Sequence, residues 1–182
     1  MRSVEGAWRT LQEADLVHDD SAVRAALERL AGEITAALAH QYPLVLCVMG
    51  GSVVFTGQLL PLLRFPLDLD YLHVTRYDGA TRGGELAWKV LPRQPVAQRV
   101  VLVLDDILDE GHTMHAIRER LLCDGAQAVH CAVLADKAIA RAKPIQPEFV
   151  GLSVPNRYVF GFGMDVEGAW RNLPAIYALK GS

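Results

Sequence analysis

RVVLVLDDILDEGHTMHAI, residues Arg99–Ile117, changes its periodicity across an acidic turn. Val100–Leu104 is a charge-free run of valine and leucine, the composition of a strand buried on both faces. Asp105, Asp106, Asp109, Glu110 and Gly111 follow, and then Met114, Ile117, Leu121 and Leu122 mark one face of a helix. The order is buried strand, acidic turn, helix. In open α/β sheets ligands bind at the carboxyl ends of the strands, where this turn must lie.

The turn has two chemical capacities. Backbone N–H groups around Asp109–Thr113 lie at a helix start, where donors lack intrahelical partners, and Gly111 lets the backbone approach a ligand closely. That is a pocket for a phosphate, to which Thr113 adds a hydroxyl. Asp105, Asp106 and Asp109 stand beside it and repel phosphate, so they suit sugar hydroxyls or a hydrated divalent metal. A phosphorylated ribose satisfies both halves. An acidic surface loop, a metal phosphohydrolase and a receiver domain are the other readings of strand, Asp-Asp, turn and helix.

Working outward, Gln127–Leu134 is the next strand, with Ala135–Asp136–Lys137 beyond its end, and Asp124–Gly125 stops the helix between. Upstream, Leu44–Met49 is a second apolar strand, followed by Gly50–Gly51–Ser52 and a helix through Phe55, Leu59 and Leu60 that Pro61 disturbs. This offers another backbone anion site. Before it, a helix runs from an Asp20 or Ser21 N-cap to about His40, with Val23, Leu27, Leu30, Ile34 and Leu38 on one face. Residues 1–18 carry at most a short helix. Leu67–Val74 and Glu85–Leu91 alternate as the arms of a hairpin, and Thr75–Glu85 is its polar, glycine-rich tip. Ala138–Pro147 is a connector, and Ala175–Leu179 is expected to close the sheet as the last strand.

The totals narrow the class. The 182 residues suit one domain, 1–182, with a real core; 51% are hydrophobic and 21% charged, as in ordinary globular proteins. A net charge of −3 without a basic block disfavours nucleic acid as a partner. No Asp, Glu, Lys or Arg lies between Glu33 and Arg64, but prolines and glycines break that stretch, so no membrane span is expected. Cys47, Cys123 and Cys131 lack metal-ligand spacing and read as buried reduced thiols of a cytoplasmic protein. No internal repeat or low-complexity tract is present.

VLVLDDILDEGHT resembles the phosphoribosyl-pyrophosphate motif of type I phosphoribosyltransferases, and is most similar to the hypoxanthine-guanine, purine-salvage branch. Lys137 and the segment Pro147–Asp165, PEFVGLSVPNRYVFGFGMD, extend the resemblance. It implies an α/β fold: a type I phosphoribosyltransferase-like core with a mostly parallel sheet flanked by helices. A small hood from the N- and C-terminal segments and a mobile lid hairpin at about 75–90 complete it. The implied reaction transfers the 5-phosphoribosyl group from phosphoribosyl pyrophosphate to hypoxanthine or guanine, giving IMP or GMP and diphosphate. Magnesium is the implied cofactor and a homodimer or homotetramer the implied assembly.

The resemblance also implies residue roles. Asp109 takes a proton from the purine, while Asp105 and Asp106 face the ribose and the metal's waters. Asp109, Glu110, Gly111, His112 and Thr113 hold the 5′-phosphate. Met49, Gly50, Gly51 and Arg171 hold diphosphate, with a cis peptide expected at Met49–Gly50. Lys137, Tyr158, Val159 and Asp165 bind the purine, Asp165 also beside a metal-bound water, and Tyr77 belongs to the lid. The sequence departs from the usual pattern at Gly50 (often Lys), Arg76 (often Ser), Glu110 (often Thr) and His112 (usually Lys). Glu110 is therefore expected to point away from the phosphate and lend only its N–H. A nucleotide-sensing regulator on the same fold and a metal-dependent phosphohydrolase are the alternatives; neither accounts for Lys137 and Pro147–Asp165 together.

Overall fold

The computed structural model describes residues 3–76 and 86–181. Helix α1 (Val4–Glu13) and strand β1 (Asp15–His18) lead into α2 (Asp20–Leu38), β2 (Leu44–Met49) and α3 (Val53–Leu59), which tightens into a 3-10 turn at Leu60–Leu62. Then come β3 (Asp68–Arg76), β4 (Leu86–Val90), β5 (Val100–Leu108), α4 (His112–Cys123), β6 (Ala128–Lys137), β7 (Phe149–Val154), β8 (Val159–Phe160) and β9 (Ile176–Ala178). Six strands form one sheet in the order β4-β3-β2-β5-β6-β7, parallel except for the edge strand β4. The fold is the expected α/β one.

The alternation of β2, β5 and β6 builds the core. Val45, Leu102, Leu104 and Leu134 face α2 and α3, together with Leu27, Leu30, Ile34 and Phe55. Leu44, Leu46, Val101, Val103 and Val133 face the other way, onto Met114, Ile117 and Leu121 of α4. A strand covered on both faces needs an unbroken apolar run, and these three have one. No helix is long and apolar enough to cross a membrane, among the described residues.

Several boundaries differ from those expected. The N-cap of α2 is Asp19, whose carboxylate accepts from the Ala22 amide at 2.8 Å. Of three adjacent capping residues, the one with extended backbone takes the position. β5 does not stop before the acidic pair: Asp105, Ile107 and Leu108 stay in register with Val133, Ala135 and Asp136 of β6. At the sheet's carboxyl edge the covering layer ends, so a carboxylate no longer has to end the strand. β6 likewise runs on to Lys137. β9 does not close this sheet; it pairs with β1 and β8 in a separate antiparallel one, in which the two ends of the chain meet. Cys47 and Cys131 are buried, but Cys123 at the end of α4 is exposed.

Candidate active site

The carboxyl ends of β5 and β6 set the site. Leu108 lies opposite Asp136 in the parallel register, so the next step brings Asp109 beside Lys137. The Lys137 ammonium is 3.1 Å from an Asp109 carboxylate oxygen, with Lys137 mostly buried and Asp109 half exposed. Two cavity lobes flank this pair. One, of about 230 Å³, is lined by Asp106, Lys137, Tyr158, Val159, Asp165 and Arg171; the other, of about 110 Å³, by Asp105, Gly111, Thr113 and Met114. Ile107 and Asp109 line both and form the ridge between them.

The smaller lobe is the head of α4. Gly111 is its N-cap, with φ +85°, a left-handed conformation that L side chains resist. A Cβ there would also lie 3.3 Å from Ile145 and 3.4 Å from Lys143 and Pro144 of the connector, which forms the floor of the turn. Gly111 has no side chain with which to cap the helix, and Gly111, Thr113 and Met114 of this helix start line the lobe. The Glu110 carboxylate is engaged by Arg141 of the connector and lies 4.0 Å from the His112 ring.

Between β2 and α3, the Met49–Gly50 peptide is cis. Gly51 lies directly against Asp106: a Cβ there would be 1.8 Å from its carboxylate oxygen. This contact joins the glycine turn to the acidic pair. Ser52, fully buried, donates its hydroxyl to the Val48 carbonyl at 2.8 Å and ties the turn back to β2.

The far wall comes from the chain's last third. Tyr158 is 47% exposed, and its hydroxyl donates to the Asp165 carbonyl at 3.1 Å. Burial, and next the Asp165 charge, raise the Tyr158 pKa, which keeps that hydroxyl protonated. Arg171 donates to the Gly163 carbonyl at 2.6 Å and pairs with the Asp165 carboxylate at 2.5 Å. The second Asp165 oxygen accepts from the Gly168 amide at 2.6 Å. Val159 is buried in β8, paired with Ala178. Tyr77 and the tip of the expected lid lie outside the described residues.

The acidic pair has a distinctive electrostatic state. Burial, and next the charge of Asp106, hold the Asp105 pKa well above the ordinary carboxylate value; burial also raises that of Asp106. Each carboxylate accepts from the next residue's amide, Asp105 from Asp106 at 3.0 Å and Asp106 from Ile107 at 2.9 Å. Among the described residues, no three His, Cys, Asp or Glu side chains gather to hold a metal alone. Magnesium, however, takes one or two carboxylates together with substrate phosphates and waters. Asp105 and Asp106, adjacent and half-buried, fit that role. Asp165 fits it less well, because both its oxygens are engaged.

Residues 13–167 match the phosphoribosyl transferase domain. The chain is 32% identical to the hypoxanthine-guanine-xanthine phosphoribosyltransferase of Tritrichomonas foetus over 168 residues, covering 92% of each chain. This chain belongs to the type I phosphoribosyltransferases of the hypoxanthine-guanine family. A Lactococcus lactis hypoxanthine-guanine phosphoribosyltransferase is 37% identical over 139 residues, 76% of this chain and 75% of that one. A solved hypoxanthine phosphoribosyltransferase from Staphylococcus aureus superposes with a TM-score of 0.88 at 25% identity, covering 99% of this chain and 96% of that one. The chain is a purine-salvage phosphoribosyltransferase, and neither a regulator nor a phosphohydrolase is favoured.

In this phosphoribosyltransferase the structure brings Asp105, Asp106, Asp109, Gly111, Thr113, Lys137, Tyr158, Val159, Asp165 and Arg171 to the two lobes. Gly51 joins them through Asp106, whereas the Glu110 carboxylate is drawn to the connector. Sequence reasoning missed Ile107 and Met164, which line the larger lobe, and Arg141 and Lys143 of the connector. Arg141 and Lys143 sit in the stretch ARAK and look like any solvated loop cations. Only the fold turns them onto Glu110 and the strand ends. A cavity of about 420 Å³ also opens behind Lys137, but its cations are already paired: Arg141 with Glu110, Lys143 with Asp136.

Proposed function

We propose that this chain transfers the phosphoribosyl group of phosphoribosyl pyrophosphate to a 6-oxopurine, hypoxanthine or guanine, releasing diphosphate. The observation that carries this reading is the Lys137–Asp109 pair, 3.1 Å apart between the two lobes. A 6-oxopurine presents its 6-oxygen and N7 side by side on one edge. Lys137 donates to the oxygen and Asp109 takes the N7 proton, so a donor and a base at that spacing suit that edge. Tyr158 stacks on the base at the outer wall.

The sugar phosphate seats at the head of α4, where the amides around Gly111 and the Thr113 hydroxyl bind its 5′-phosphate and fix the anomeric carbon. The bond from that carbon to the diphosphate oxygen breaks as the bond to purine N9 forms. Positive charge develops on the sugar, and Asp105 and Asp106 stabilise it. Gly51, the Met49–Gly50 peptide and Arg171 hold the departing diphosphate. Asp105 and Asp106 would hold magnesium, which would supply further neutralisation of that leaving group. Arg171 must release Asp165 to serve there, which frees that carboxylate near the base.

The same reading carries a homo-oligomer and a reducing cytoplasm, in which Cys47, Cys123 and Cys131 stay free thiols. The test is incubation with magnesium, phosphoribosyl pyrophosphate and hypoxanthine, guanine or xanthine in turn, with mononucleotide as the readout. Mononucleotide from the first two bases is expected. Its absence with every base overturns the proposal.

A further inference from the structure

Lys143 lies in the connector between β6 and β7, and its side chain is only 10% exposed. A lysine this covered requires partners for its charge and all three N–H groups. It has them. The ammonium donates to the Leu108 carbonyl at 2.8 Å, the Lys137 carbonyl at 2.7 Å and the Asp136 carboxylate at 2.5 Å. Two of these acceptors are main-chain atoms at the ends of adjacent strands. Leu108 is peptide-bonded to Asp109, and the other carbonyl belongs to Lys137 itself.

We propose that Lys143 is a positioning residue, whose ammonium bridges the ends of β5 and β6 and sets the spacing of Asp109 and Lys137. It touches neither purine nor sugar. Its contribution is to fix the peptide planes at 108–109 and 137–138, from which the base and the purine donor project. The Lys143 stem and Pro144 also pack under Gly111, so the connector supports the phosphate turn from the same side. The connector contains no helix or strand, and the Lys143 ammonium is one of its anchors to the sheet. Register alone brings Asp109 level with Lys137, but Asp109 lies beyond the last paired residue of β5. The 137–138 peptide is held on its β7 side, where the Ala138 amide donates to the Val154 carbonyl at 2.8 Å, and its carbonyl turns to Lys143.

The proposal rests on the assignment of Lys137 to the purine, and the experiment separates the two. The full-length enzyme with magnesium is assayed as wild type, Lys143→Met, Lys137→Met and the double variant, with kcat/KM for hypoxanthine as the readout. If Lys143 acts through Lys137, Lys143→Met costs ten-fold or more in the wild-type background. It then costs three-fold or less once Lys137 is gone, because neighbours that act as a unit are not additive. Equal losses in both backgrounds overturn the proposal. So does a lowered melting temperature with kcat/KM changed less than three-fold. Lys137→Met with an unchanged KM for hypoxanthine would sink the underlying purine assignment, seen without touching Lys143, and the proposal with it. Should Lys143→Met fail to fold, Lys143→Gln, which keeps two donors, is measured in the same two backgrounds against the same thresholds.

Discussion

Replacing Asp109 by Asn separates what this carboxylate does for the fold from what it does for the reaction. It is 3.1 Å from the Lys137 ammonium, a separation at which two unit charges attract by about 1.3 kcal/mol in water. Asp109 is 53% exposed, so solvent screens the pair and the net contribution falls to ~1 kcal/mol or less. Asparagine retains an oxygen that accepts from Lys137. The melting temperature is therefore expected to fall by no more than about 2–4 °C. Loss of a general base costs about 10²–10⁴ in rate, roughly 2.7–5.4 kcal/mol at 1.36 kcal/mol per decade. The rate effect exceeds the stability effect several-fold, so one cannot be mistaken for the other. The assay is single-turnover formation of mononucleotide from preformed enzyme–phosphoribosyl pyrophosphate complex, which keeps product release from hiding the chemical step. A melting temperature near wild type with a rate within three-fold of wild type would refute Asp109 as the base.

The raised pKa of Asp105 makes a stability prediction. Because the folded protein holds that proton more tightly than the unfolded chain, its contribution is fully present below the unfolded pKa of about 4 and is lost as pH rises through the folded value. Above the unfolded pKa the buried Asp105 carboxyl costs stability, so Asp105→Asn should raise the melting temperature at pH 7.5, lose the advantage near pH 4 and reduce turnover; a lower melting temperature at pH 7.5 contradicts this. Gly51→Ala sets a Cβ 1.8 Å from Asp106 and must displace that carboxylate or the turn. Turnover should drop by about 10²-fold with little change in melting temperature, and unimpaired turnover would show that Asp106 is not needed where it stands. Gly111→Ala must adopt φ +85° against the connector, at a cost of about 1–2 kcal/mol. It should raise the KM for phosphoribosyl pyrophosphate more than that for purine, and equal rises would detach the turn from the phosphate.

Much was legible along the chain because it is local. The apolar runs of β2 and β5, the heptad-like face of α2 and the glycine turns are properties of neighbouring residues, and propensity and period report them directly. The strand–turn–helix at Val100–Cys123 located the acidic pair and the glycine turn at the head of α4 without any tertiary knowledge. Boundaries at the sheet's edge were less legible: burial decides whether a charged residue ends a strand, and Asp105 and Asp106 sit where cover is already thinning. The short strands β1, β8 and β9 have too few residues for a period to register.

The residue types of the site belong to the sequence; their company belongs to the fold. Nothing in the spacing of Gly51 and Asp106, Asp109 and Lys137, or Glu110 and Arg141 says that they touch. Those contacts arise because parallel strands deliver their carboxyl ends to one edge, and the register there decides who faces whom. Lys143 shows the limit most clearly. Its identity was always visible, but whether a lysine is solvated or buried between two strand ends depends on where a connector without helix or strand comes to rest, and packing of the whole sheet settles that.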